Sequence, residues 1–163
     1  TSKITNMSGM FFSAKAFNTP LNSWNTSNIT NMSEMFSYAK EFNQPLNNWN
    51  VSNVTNMDYM FYEAKNFNQN ISNWNLENIE DLNEIFEEAK AFIKKYNSDK
   101  PLPEDTKEIK NWFNLNRERM NMIDVKDKYG KEIDHFFTNI TDIHFTNGIG
   151  LHNNIHSLPI SIP

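Results

Sequence analysis

An internal repeat of 25 residues constrains this sequence more than any other feature, because it fixes which side chains can share a core. The segment ITNMSGMF at residues 4–11 returns as ITNMSEMF at 29–36 and as VTNMDYMF at 54–61. A degenerate fourth copy, IEDLNEIF, occupies residues 79–86. A repeat that keeps its period over four copies is typical of a stack of units, each too small to bury its own apolar side chains.

Aromatic residues recur in two further columns of the same period and indicate where that core lies. The columns are Phe17, Phe42, Phe67 and Phe92, and Trp24, Trp49 and Trp74. Stacked copies would place each column in contact along its length, so the repeats predict one continuous core.

Two short elements are expected in each repeat. Trp49 and Val51 alternate with Asn50, which predicts a three-residue strand parallel to its copies near residues 24–26 and 74–76. The spacing of Met57, Met60, Phe61 and Ala64 is that of a short amphipathic helix. The expected fold class is therefore an α/β solenoid, a leucine-rich-repeat-like stack of short parallel strands and short helices, with a C-terminal α+β cap or appendage.

The sequence divides into three parts by composition. Residues 1–96 hold the four repeats, of which the fourth is a polar capping copy, and 97–103 form a linker. Residues 104–163 predict a helix to about residue 122, a hairpin pairing 122–126 with 133–137 around a turn at 127–130, and an irregular tail. Because residue 1 falls inside a repeat, we expect earlier repeats to precede it.

The consensus of the repeats carries a family resemblance. The run NMSEMFSYAKEFNQPLNNWNVSNVT at residues 31–55 closely resembles the BspA-like bacterial surface-protein repeats, and the likeness extends from residue 1 to about 92. The resemblance implies a relative of leucine-rich repeats and display at the cell surface or outside the cell. It also implies binding of a host, matrix or cell-surface protein. No catalytic residue accompanies that resemblance.

Composition and motifs exclude several classes of function. The chain has no cysteine, which excludes disulfides, thiolate metal sites and a cysteine nucleophile within it. Its net charge of -5 argues against nucleic-acid binding, and no apolar run reaches the length of a membrane span. No phosphate-binding loop, dinucleotide motif or nucleophile elbow occurs, so we expect neither a cofactor nor an enzyme.

A metal site at the late histidines is a weaker hypothesis. His152 and His156 have the i, i+4 spacing of helical metal ligands, but the residues between them are poor helix formers. His135 and His144 lie near Asp134 and Asp142, but nothing in their spacing demands an acid–base cluster and solvated charge is the default interpretation. We therefore predict neither a metal site nor a catalytic site.

Asparagines occur in periodic N-x-S/T triplets, which favour a structural role. An asparagine amide both donates and accepts, so a repeated asparagine can bond backbone groups in the turns of every copy. Glycosylation is the alternative function of such triplets. The triplets begin at Asn6, Asn25, Asn28, Asn31, Asn50, Asn53, Asn70 and Asn139.

Two surfaces are candidates for binding a protein partner. The first, the asparagine strip, comprises the outward positions of the predicted strands: Ser23, Asn25, Asn48, Asn50, Asn73 and Asn75. The second comprises aromatic residues at variable positions of the repeat: Phe12, Tyr38, Tyr59 and Tyr62. Tyrosine is enriched at interface hot spots. Binding through the solenoid face, a spacer carrying another functional domain, and a metal-dependent enzyme remain the three interpretations, in decreasing order of support.

Overall fold

The computed structural model describes residues 3–130. Its first compact unit is Thr1–Glu118 and its second is Arg119–Pro163. The described residues contain two helices, α1 (Lys90–Asn97) and α2 (Thr106–Tyr129), and no strand. Residues 3–89 consist of turns joined by short irregular segments, and all four repeats lie in the first unit.

The expected α/β solenoid is wrong, and so is its description as a leucine-rich repeat. Within residues 3–130 the only β-type pairing consists of isolated parallel bridges, which join Asn6 to Asn31, Asn31 to Asn56 and Asn56 to Asp81. These bridges lie outside the segments predicted as strands, and none extends into a sheet.

The predicted strands do not form because backbone groups at both of their ends, the donor of Trp49 and the acceptor of Val51, are used locally. Trp49 donates its N–H to the carbonyl oxygen of Leu46 at 3.1 Å, and Val54 donates to Val51 at 3.0 Å. Both bonds close turns within one repeat, whereas a parallel ladder needs donors directed at a neighbouring strand. Trp49 and Val51 are buried and Asn50 is exposed as the alternation predicted.

The predicted helices are absent because two residues in each repeat have a left-handed backbone. Tyr59 and Glu63 both have φ of 57°, whereas an α-helix needs φ near about -60°. The hydrogen bonds run from residue i+3 to residue i, as from Met60 to Met57 at 3.2 Å. Met57, Met60, Phe61 and Ala64 are all fully buried, so the spacing identified the core correctly and the conformation wrongly.

Successive repeats are joined by backbone hydrogen bonds from alternate residues. Four N–H groups of the second repeat donate to carbonyl oxygens of the third at 2.8–2.9 Å: Met32 to Asn56, Glu34 to Asp58, Phe36 to Met60 and Tyr38 to Tyr62. The same four positions donate from the first repeat to the second and from the third to the fourth. Met35 and Ser37, which lie between these donors, instead close turns inside their own repeat by donating to Met32 and Glu34.

Two columns of positive φ accompany this alternation. They are Gly9, Glu34, Tyr59 and Glu84, and Ser13, Tyr38, Glu63 and Glu88, with φ between 49° and 64°. In the first three repeats, each of these residues donates its own N–H to the next repeat. The left-handed conformation is uncommon for residues other than glycine, so the repeated fold imposes it at these positions.

Parallel phenylalanine ladders fill the core of the stack. Phe11, Phe36, Phe61 and Phe86 stack with ring centroids 5.5–5.6 Å apart. The column that begins at Phe17 follows at 5.7–6.2 Å. Within each repeat the two rings stack at 4.0–4.1 Å. Offset stacking of this kind contributes about 0.5–1.5 kcal/mol per pair beyond the area that the rings bury.

The asparagine triplets have the structural role that the sequence predicted. In five N-x-S triplets the asparagine Oδ1 accepts the backbone N–H of the serine two residues later: Asn6, Asn25, Asn31, Asn50 and Asn70. Asn53 donates its amide to the Ser27 carbonyl oxygen of the preceding repeat at 2.7 Å. Such side-chain bonds fix the turns on which the stack is built. The triplet at Asn139 lies outside the described residues.

The segment before α2 supplies the acceptors that a further repeat would provide. Glu84 donates its N–H to the Glu104 carbonyl oxygen at 2.7 Å, and Leu82 donates to Thr106 Oγ1 at 2.9 Å. Thr106 in turn donates its N–H to Asn83 Oδ1 at 3.2 Å. Two of the four backbone donors that would bind a further repeat, those of Leu82 and Glu84, are thereby satisfied.

Side chains of α2 cover the same end of the core. The Phe113 ring lies 6.0 Å from Phe86, and Trp112 lies 6.4 Å from Phe92. Arg117 donates to the carbonyl oxygens of Ser72 and, at 2.7 Å, of Trp74.

Helix α2 continues through residues 122–129, where the sequence suggested one arm and the turn of a hairpin. The other arm, 133–137, and the tail lie outside the described residues.

We predict that Thr106→Val lowers the free energy of unfolding by about 1–3 kcal/mol, the cost of leaving a buried donor unsatisfied. Valine keeps the shape of threonine but cannot accept the Leu82 N–H. Thr106→Ser retains the hydroxyl and is the matched control. Urea unfolding measures both variants, and equal stability of the valine and serine forms would contradict the capping role.

Candidate functional site

All six members of the asparagine strip are exposed, as predicted, although they lie on turns and irregular segments. Several of their side chains bond the backbone of the stack. Asn25, Asn50 and Asn75 each accept an N–H from two residues later, and Asn73 donates to the Asn47 carbonyl oxygen at 2.6 Å. Much of the hydrogen-bonding capacity of this strip therefore serves the fold.

The aromatic candidates come together on another surface of the stack. Phe12 contacts Tyr38, Tyr38 contacts Tyr62, and Tyr62 contacts Tyr59, with ring centroids 5.5–5.7 Å apart. Adjacent rings are inclined by 65–72°, an edge-to-face arrangement. Phe12 and Tyr59 are 47% and 36% exposed, and Tyr38 and Tyr62 are half-buried. Residues from three repeats thus form one continuous aromatic surface.

The rings line a concave site, which we term the aromatic groove. It has a volume of about 430 Å³. Its described lining adds two carboxylates and a hydroxyl to the aromatic residues: Phe12, Glu34, Ser37, Tyr38, Tyr59, Tyr62 and Glu84. Four of these residues occupy columns of positive φ, so the backbone that joins the repeats also positions the groove.

Sequence analysis missed Glu34, Ser37 and Glu84, although the repeat carries a signal for all three. Glu34 and Glu84 share a column with Tyr59, and Ser37 shares one with Phe12 and Tyr62. Positions 25 residues apart are neighbours in the stack. The polar residues at the same repeat positions as the exposed aromatic residues could therefore have been predicted to lie beside them. The Ser37 hydroxyl is buried and donates to the Tyr59 carbonyl oxygen, which ties the second repeat to the third.

Acidic neighbours set the electrostatics of the groove. A hydrogen bond to Glu84 and the negative charge of that carboxylate raise the pKa of Tyr59, with smaller contributions from burial, Asp58 and Glu34. The pKa of Tyr62 is raised first by Tyr38 and then by burial, with Glu63 and Glu84 adding to the effect. Both phenols therefore remain neutral at physiological pH, while the carboxylates give the groove a negative potential.

Two smaller concavities lie elsewhere in the first unit. One, of about 280 Å³, is lined by residues of α1 and by those before and after it, including Glu88, Ile93 and Leu102. The other, of about 180 Å³, is bordered by Asn75 of the asparagine strip and by Arg117. Burial lowers the pKa of the Arg117 guanidinium, whose hydrogen bonds to backbone carbonyl oxygens give it a structural role.

A lysine recurs at the repeat period, at Lys15, Lys40, Lys65 and Lys90, and two of these lysines form ion pairs with a nearby glutamate. Lys65 pairs with Glu63 and Lys90 with Glu88, each with a separation of 3.7 Å between nitrogen and oxygen. Both pairs are partly exposed, so they contribute little to stability.

The late histidines and the acids near them lie outside the described residues. Between residues 3 and 130, no group of three or more His, Cys, Asp or Glu side chains is arranged to hold a metal. No helix in that part of the chain is both long and apolar enough to cross a membrane.

A family model described as "Mycoplasma protein of unknown function, DUF285" matches residues 1–99. The chain belongs to this family. The DUF285 match includes all four repeats, α1 and the whole aromatic groove, and it ends before α2. Neither a curated protein nor a solved structure matches the chain.

Glu87, which lines the concavity of about 280 Å³ beside α1, generates a pH-dependent prediction. Burial raises the pKa of Glu87, and the negative charges of Glu104, Glu84 and Glu88 raise it further. Its ionised form is thus disfavoured in the folded state, so its contribution to stability is present at low pH and is lost as pH rises through the folded pKa.

We therefore expect Glu87→Gln to raise the melting temperature at pH 7. The gain should disappear near pH 4, about the value at which glutamate in the unfolded chain also becomes protonated. Glu41→Gln removes the same charge from an exposed position and is the control. Thermal melts at both pH values measure the effect, and an equal gain at the two would contradict this origin.

Proposed function

We propose that this chain is a protein-interaction module of a bacterial surface or secreted protein. Its resemblance to BspA-like surface repeats suggests a host, matrix or cell-surface protein as the partner. Its place of action would be the cell surface or the extracellular space. The proposed role is binding without catalysis.

The observation that carries this proposal is the aromatic groove. Four aromatic rings from three repeats border a concavity of about 430 Å³, within the range of volumes of ligand-binding pockets. Tyrosine and other aromatic side chains in such positions are typical of interface hot spots. The backbone bonds between repeats hold the rings in place, which lowers the entropic cost of binding.

The asparagine strip is the less favoured binding surface. It is exposed, but Asn25, Asn50 and Asn75 accept backbone hydrogen bonds within their own turns. A partner would compete with those bonds for the same oxygen atoms. The aromatic faces of the groove can be contacted by a partner without displacing a hydrogen bond of the fold.

A capture experiment tests the proposal with two matched variants. Immobilised chain is exposed to serum and extracellular-matrix extract, and retained proteins are then assayed individually for direct binding. One variant carries Phe12→Ala and Tyr59→Ala, the two most exposed rings of the groove. The other carries Asn48→Ala, Asn50→Ala, Asn73→Ala and Asn75→Ala on the strip, and circular dichroism verifies the folding of both.

We expect a partner that binds the unaltered chain and the strip variant and that binds the groove variant at least about tenfold more weakly, a loss of roughly 1.4 kcal/mol. Loss on the strip variant alone would move the function to the asparagine strip. Absence of a directly binding partner would contradict the proposal and favour a spacer that carries another functional domain.

A further inference from the structure

We propose that the aromatic groove binds the guanidinium group of an arginine in a basic segment of the partner. This inference rests on the proposed function, because it names the chemistry that the groove recognises. The ring geometry, the carboxylates and the charge of the whole chain support it.

The rings form walls suited to a cation. Neighbouring rings contact one another edge to face at 65–72°, with centroids 5.5–5.7 Å apart, so nothing fits between them. Phe12 and Tyr59 are 47% and 36% exposed, so a cation in the groove can contact the open side of these rings. A cation within about 6 Å of a ring centroid is attracted by the negative π-face. Arginine is the more frequent partner in such contacts, because its planar group also stacks on aromatic rings.

Two carboxylates provide the complementary charge. Glu34 and Glu84 both line the groove, and none of the described lining residues is a lysine, arginine or histidine. The ion pairs found between residues 3 and 130 use Glu63 and Glu88 instead. The carboxylates of the groove are therefore not neutralised by a lysine or arginine of the described chain, and the net charge of -5 also favours a cationic partner.

The choice of arginine over lysine follows from hydrogen-bond geometry. A guanidinium donates in a planar fork that matches a carboxylate, and its faces remain available for the tyrosine rings. A lysine ammonium is more strongly hydrated and has no planar face. The groove offers both partners of the guanidinium, rings and carboxylates, within one concavity of about 430 Å³.

The identity of the side chains at the strained positions agrees with this assignment. The column of Gly9 has φ between 49° and 64° in every repeat, and glycine adopts that conformation most easily. The later copies of this position nevertheless carry Glu34, Tyr59 and Glu84, all of which line the groove.

The test uses the full chain and a defined probe. An acetylated and amidated peptide, Gly-Gly-Arg-Gly-Gly, is titrated into the protein while the tyrosine ring signals are followed by NMR. A citrulline peptide of the same length is neutral and nearly isosteric, and a lysine peptide keeps the charge without the planar fork.

We expect saturable shifts of the Tyr38, Tyr59 and Tyr62 ring signals with the arginine peptide and weaker binding of the lysine peptide. The citrulline peptide should produce no saturable shift. Binding of the arginine and citrulline peptides with equal affinity, or no saturable shift with either, would overturn the inference.

Variants separate recognition in the groove from general attraction to an acidic protein. Glu84→Gln and Glu34→Gln should each weaken binding of the arginine peptide by about tenfold, while Glu41→Gln, which removes the same charge elsewhere, should leave it unchanged. An equal effect of all three would also overturn the inference. Melting temperatures verify that each variant is folded.

The two proposals can fail separately. A captured partner that depends on Phe12 and Tyr59 but does not compete with the arginine peptide would leave the proposed function standing and overturn this inference. Binding of the arginine peptide with no captured partner would support the inference and count against the proposed function only.

Discussion

Hydrogen bonds donated by alternate backbone N–H groups from each repeat to the next are the interaction on which the rest of this structure depends. They join the first four copies pairwise at four positions per copy. The remaining donors of the same segments close turns internally, so the backbone is satisfied without helix or sheet. Two residues with positive φ in every repeat accompany this division of donors. The phenylalanine ladders stack at 5.5–6.2 Å because the backbone sets the distance between copies.

The same constraint explains the position of the candidate site. Glu34, Tyr38, Tyr59 and Glu84 all occupy the columns of positive φ and all line the aromatic groove. The groove is thus built directly on the backbone bonds that join the repeats. Its variable side chains differ between copies, while the turns that carry them do not. A repeated scaffold can therefore present a non-repeated set of rings and carboxylates.

The sequence predicted the composition of the core but not the conformation of its backbone. Met57, Met60, Phe61 and Ala64 have helical spacing, and a succession of three-residue turns buries the same positions. Glutamate and tyrosine at Glu34, Tyr59 and Glu63 give no indication of positive φ, which only Gly9 suggests. The alternation at Trp49 and Val51 was equally consistent with a strand, because local turns also place successive side chains on opposite sides. Periodicity reports which side chains face the core, and several backbone conformations share one periodicity.

The candidate site was predicted only in part. Four aromatic residues were identified as an exposed patch, and the structure brings them together: Phe12, Tyr38, Tyr59 and Tyr62. Glu34 and Glu84 were missed because solvated charge is the usual interpretation of an isolated glutamate. Only the contact between copies 25 residues apart places them beside the rings. A C-terminal cap was expected, but the residues that supply its acceptors, Glu104 and Thr106, were not identified, since nothing in their sequence resembles the repeat whose acceptors they replace.

The left-handed conformation at the repeated turn positions can be tested by comparing a glycine and an alanine variant at one of them. Which of the two variants is the more stable shows whether the backbone there is left-handed or helical. At Glu34, where φ is 56°, glycine should give a more stable protein than alanine by about 1–2 kcal/mol, because alanine carries a Cβ into the left-handed region. If residues 33–38 were instead a helix, alanine would be the more stable by about 0.5–1 kcal/mol. The same pair of substitutions at the exposed helical residue Asn111 should favour alanine and calibrates the measurement. Urea unfolding that shows glycine ahead at Glu34 and alanine ahead at Asn111 is the predicted result; alanine ahead at both positions would contradict the account.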